Sequence, residues 1–152
     1  MVMSTYKNRP KDNYLQEASL EDLYILTESW INDFELYVSE ISFLELLINT
    51  YFIKLLIYEN VEEINELQLD SKKLKKRGVE LLENLQFHLS SITEIIEESY
   101  YEKNGTLRGQ QEFFEDEISY YVESLKIIRY TVYSKIKAII EEQKSKLLWK
   151  YN

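Results

Sequence analysis

The chain has no cysteine, one proline, three glycines and one histidine among its 152 residues. Without cysteine there can be no disulfide, thiolate zinc site or cysteine nucleophile, and a reducing, cytoplasmic setting fits. So few turn formers disfavour an all-β fold, which needs them at short intervals. A single histidine excludes the carboxylate di-iron centre of ferritin-like bundles, which needs two Glu-x-x-His pairs. The residue three before His88 is Leu85. Histidine-rich haemerythrin-type sites fail for the same reason. Gly78, Gly105 and Gly109 make no phosphate-binding loop, and no Ser-His-Asp set can be assembled.

Positive charge is also short. The net charge is −9, which provides no general basic face for nucleic acid or for an anionic membrane. Met1 to Lys11 contains no long apolar core, so no signal peptide is expected. The most apolar run, Ile41 to Tyr58, contains Glu45, Asn49 and Lys54. Charges inside the minimum bilayer span are costly, so no membrane segment is expected. The composition therefore points to a protein with no cofactor, no metal and no catalytic machinery.

What the chain does have is a heptad stripe. Leu23, Leu26, Trp30, Tyr37, Ile41, Leu44, Ile48, Tyr51, Leu55 and Tyr58 recur at spacings of three and four, with one position skipped. That periodicity marks a long helix packed along its length. Ser19, followed by Glu21 and Asp22, supplies an N-cap and a first turn suited to the helix dipole. The first helix is thus predicted over 19–58, after a flexible N-terminal arm, 1–18, that holds Pro10.

No glycine or proline marks the next turn. Asn60 with Glu63 resembles a capping box. The rival turn, at Asp70-Ser71, would interrupt the series Ile64, Leu67, Ser71, Leu74, Gly78, Leu81, Leu85, His88, Ile92, Ile95. It would also set Lys72, Lys73, Lys75, Lys76 and Arg77 at a helix N-terminus, where the dipole opposes cations. A second helix is predicted over 61–102. Lys103 to Gly109, with its Asn104-Gly105 pair, reads as a loop. A third helix is predicted over 110–148 on Phe114, Ile118, Tyr121, Leu125, Ile128, Val132, Ile136, Ile139 and Leu147. Three helices of about 40 residues, each about 60 Å long, imply an all-α, up-down-up antiparallel bundle in one domain, 19–150.

Two surfaces are candidates for function. Phe43, Leu47, Phe52, Ile53, Leu56 and Ile57, added to the stripe, make the first helix apolar nearly all round. A three-helix bundle cannot bury every face of one helix, so a homodimer through this face is expected. The second surface is acidic. Glu94, Glu97, Glu98 and Glu102 flank the predicted loop on one side, and Glu112, Glu115 and Asp116 on the other. Carboxylates at helical spacing are ordinarily solvated, yet together they would make one end negative and suited to a basic protein partner. His88 is expected as a seam residue bonded to a Glu or Tyr, and the Lys72–Arg77 block as ion-paired to neighbouring glutamates.

Two functions follow. The first is a non-enzymatic interaction or scaffold protein. The alternative is a carrier or sensor of a small apolar or aromatic ligand, held between helices near Trp30 or Phe52 or at a dimer seam.

Overall fold

The computed structural model describes residues 14–98 and 104–151, and the regular structure among them is all helical. A single turn, Tyr14–Glu17, precedes α1 (Leu20–Thr50), α2 (Phe52–Tyr58), α3 (Val61–Glu98) and α4 (Asn104–Tyr151). The first thirteen residues of the predicted arm lie outside the described residues. Leu15, within the same predicted arm, is buried beside Leu20, Ile95 and Leu107.

Ser19 caps α1, its side chain accepting from the Asp22 amide at 3.0 Å. The predicted single helix over 19–58 is broken. α1 ends at Thr50, and α2 leaves it at an angle of 67°. Tyr51 sits at the break with φ −99° and ψ 11°, outside the helical well. Tyr51 N–H donates to the Leu47 carbonyl as α1 ends, and the Tyr51 carbonyl accepts from Leu55 N–H as α2 begins. The β-branched residues Ile48, Thr50 and Ile53 weaken the helix there. The bend lets Leu55 join a separate cluster with Ile64 and Ile139.

Asn60 starts α3. Its side chain accepts from Glu62 N–H at 2.7 Å. The helix then passes Asp70 without interruption, and its buried residues are the ten of the predicted series, from Ile64 to Ile95.

The predicted loop is also corrected over 104–109, Lys103 lying outside the described residues. α4 begins at Asn104, six residues before the predicted start. Two glycines cost a helix about 1 kcal/mol each relative to alanine. Tertiary contacts offset that cost: Leu107 is buried with Leu15 and Leu20, and the Arg108 guanidinium donates to the Leu15 carbonyl at 2.9 Å. At the other end Leu147, placed on the stripe, is exposed, as are Leu148 and Trp149.

The main core gathers Trp30, Phe34, Ile41 and Leu44 of α1 with Leu81 and Leu85 of α3 and Ile118, Tyr121 and Leu125 of α4. Polar pairs tie the helices outside it. Asn49 of α1 accepts from Gln68 of α3 at 2.9 Å, and Glu45 lies 3.8 Å from Lys75. Arg77 meets Glu117 of α4 at 3.0 Å. Arg129 of α4 grips both carboxylate oxygens of Glu40, with its Nε 3.0 and 3.1 Å away.

Candidate functional site

The predicted apolar face of the first helix divides in two. Phe43, Ile53 and Ile57 face outward, 49%, 76% and 70% exposed. Leu47 instead packs on the main core, and Phe52 and Leu56 pack on the Leu55 cluster. Two further residues join the outward set, Leu36 and Leu46, at 70% and 57% exposure. Their signal was spacing: Leu36 stands seven before Phe43, and Leu46 seven before Ile53. Leu36, Phe43 and Leu46 keep heptad spacing on the solvent side of α1, and Ile53 and Ile57 continue this exposed apolar set on α2. The bend at Tyr51 splits it between the two helices.

The acidic set is also regrouped. Glu94, Glu97 and Glu98 of α3 and Glu112 and Asp116 of α4 are exposed. Glu102 lies outside the described residues. Glu115 is buried, at 6% exposure, and so leaves the surface set. It stands seven before Val122, another buried residue, so its helical position turns it inward. Because α4 starts at Asn104, its first turn holds no acid.

Between the start of α1 and the end of α3 lies a hollow of about 340 Å³, lined by Glu21, Tyr24, Ile25, Thr93, Ile96 and Glu97. It brings Glu97 to the same concavity as Glu21, which the sequence placed only in a helix first turn.

The most connected polar group is internal. His88 of α3 is buried, and its Nε2 lies 2.7 Å from Oε1 of Gln111 on α4. The Gln111 amide donates to the Thr27 hydroxyl of α1 at 3.0 Å, and that hydroxyl donates to the Leu23 carbonyl at 2.8 Å. This orientation leaves Oε1 of Gln111 as acceptor and makes Nε2 the protonated nitrogen of His88. The expected Glu or Tyr partner is thus replaced by a glutamine. Burial lowers the His88 pKa below its ordinary value, against an upward pull from hydrogen bonds to Gln111 and Gln110. The ring packs 5.0 Å from that of Phe114. Beside it opens a hollow of about 260 Å³ bordered by Phe87, Gln110 and Phe113.

Two members of the basic block are ion-paired. Lys75 meets Glu45, and Arg77 meets Glu117 and Glu80. Tyr37 stacks near Tyr121 and is pushed up to about 12, mainly by burial and then by the Asp33 charge. Among the described residues no group of three or more His, Cys, Asp or Glu side chains is placed to hold a metal ion. No single helix among them is long and apolar enough to cross a membrane. α1 and α2 meet that standard only as a bent pair. Comparison with protein-family models, curated proteins and solved structures finds no match.

Proposed function

We propose that this chain is a non-enzymatic interaction or scaffold protein of the cytoplasm, acting as a homodimer of three-helix bundles. In this reading the bent α1–α2 unit, α3 and α4 run up, down and up. The order of the cross-helix pairs supports that arrangement. From Glu45 to Asn49 along α1, the α3 partners fall from Lys75 to Gln68. From Thr27 to Glu40, the α4 partners rise from Gln111 to Arg129.

The observation that carries the dimer is the exposed apolar set of Leu36, Phe43 and Leu46 on α1 with Ile53 and Ile57 on α2. Fully burying such a side chain stabilises by about 1.5–3 kcal/mol. A twofold pairing covers the same patch on both copies at once. The acidic surface of Glu94, Glu97 and Glu98, with Glu112 and Asp116, supplies a second working face for a basic protein. The reading includes no cofactor, nucleic acid or membrane. Its test is the oligomeric state of the protein and of a variant charged on the exposed apolar set, Leu46→Asp with Ile53→Asp.

A carrier or sensor function is the second reading. What favours it is the hollow beside His88, where Phe87, Phe113 and Phe114 face a histidine, a glutamine, Asn84 and Ser91. That lining suits a small aromatic ligand carrying a hydrogen-bonding group. A ligand mass that accompanies the purified protein, and is lost on Phe113→Ala, would favour it.

A further inference from the structure

No lysine or arginine occurs between Lys11 and Lys54, nor between Arg77 and Lys103. The first stretch contains all of α1, and the second contains the C-terminal part of α3. The fold packs these two base-free stretches together, with Leu23 clustered against Ile92 and Ile95. The hollow of about 340 Å³ lies between them. Tyr24, Ile25 and Ile96 make it apolar, and Glu21 and Glu97 come from its two opposite helices. Glu17 and Glu28 extend the negative charge on one side, and Glu94 and Glu98 on the other, all of them exposed.

We propose that this hollow is the docking site for a basic amphipathic segment of a partner protein. An aliphatic side chain of the segment sits over Ile25 and Ile96, and its flanking lysines or arginines meet Glu21 and Glu97. Two physical features select that occupant. Carboxylates concentrated on base-free stretches give a negative potential that attracts cations and repels phosphate-bearing ligands. The apolar floor adds an attraction that a purely cationic chain cannot use. Acids alone would bind oligolysine as well as anything else; an exposed isoleucine between them discriminates.

The proposal deepens the interaction reading and rests on its basic partner, but not on the dimer. Ile25 precedes Leu36 by about 16 Å along α1, so the two surfaces can be altered separately. The test titrates the full chain with a short helical peptide of leucine and lysine, by calorimetry, with oligolysine as comparison. The wild type should bind the peptide more tightly than oligolysine. Glu97→Lys with Ile25→Ser should weaken peptide binding about tenfold or more, with the oligomeric state unchanged. Both positions are at least partly exposed, so the fold should survive; Glu97→Gln gives the same direction if the double variant does not fold. Equal binding of oligolysine, or unchanged binding by the variants, would overturn the proposal. So would loss of binding on Glu112→Lys with Asp116→Lys alone, which would move the basic partner to α4.

Discussion

The hydroxyl of Tyr121 occupies the space that a side chain at Gly78 would need. A Cβ built at Gly78 collides with that hydroxyl and lies 3.2 Å from Cγ2 of Val38. The glycine thus serves a close approach of α1, α3 and α4. The Tyr121 hydroxyl is buried and has no hydrogen-bond partner among the described residues. Gly78→Ala gains about 1 kcal/mol of helix propensity, yet overpacking of this kind costs about 1–3 kcal/mol. The single variant should therefore melt below the wild type. Tyr121→Phe removes the colliding atom together with an unsatisfied polar group, so it should be neutral or stabilising. Combined with Gly78→Ala it should recover part of the loss, a coupling readable in urea denaturation.

Acidification should destabilise the protein in a window set by His88. Its folded pKa is lowered from 6.5 by burial, so below pH 6.5 the unfolded chain binds more protons than the folded one. Stability from this group is complete above pH 6.5 and falls as pH drops towards the folded pKa. No other side chain titrates there at its ordinary pKa, since His88 is the single histidine. Melting temperatures should decline as pH falls below about 6.5, and His88→Gln should flatten that decline.

The amide of Gln111 serves His88 and Thr27 at once. Gln111→Leu would remove the partner of the buried His88 Nε2 and the donor to Thr27, whose hydroxyl keeps its bond to the Leu23 carbonyl, at a cost of about 1–3 kcal/mol for a buried group left unsatisfied. Chemical denaturation should show a larger loss than for Gln110→Leu, whose parent residue is exposed.

The grip of Arg129 on Glu40 is a fork that lysine cannot reproduce. Both side chains are about one-third exposed, at 34% and 29%, so solvent screens the pair. Arg129→Lys should cost about 1 kcal/mol at low salt and less in molar salt, as measured by urea titration at both ionic strengths.

Sequence periodicity revealed most about α3. Its three-four series names every buried position, including the unpromising Ser71, Gly78 and His88, because one helix face stays inward throughout. The bend at Tyr51 left no such trace. No glycine or proline marks it, and it follows from where Leu55 finds its neighbours. The start of α4 was hidden for the opposite reason. Asn104, Gly105 and Gly109 read as loop, while the contacts of Leu107 and Arg108 that hold them helical join residues distant in sequence. At the surfaces, charge misplaced Glu115, whose heptad position was the better guide. The hollow under Glu21 and Glu97 needed the pairing of α1 with α3, which no local pattern contains.

The proposed homodimer is decided by the oligomeric state in solution. Native mass spectrometry should be run on the wild type and on Leu46→Asp with Ile53→Asp, both replaced side chains being exposed in the single chain. Even-subunit assemblies are expected for the wild type and a folded monomer for the variant. A wild type that stays monomeric, or a variant that keeps its partner copy, would contradict the proposal.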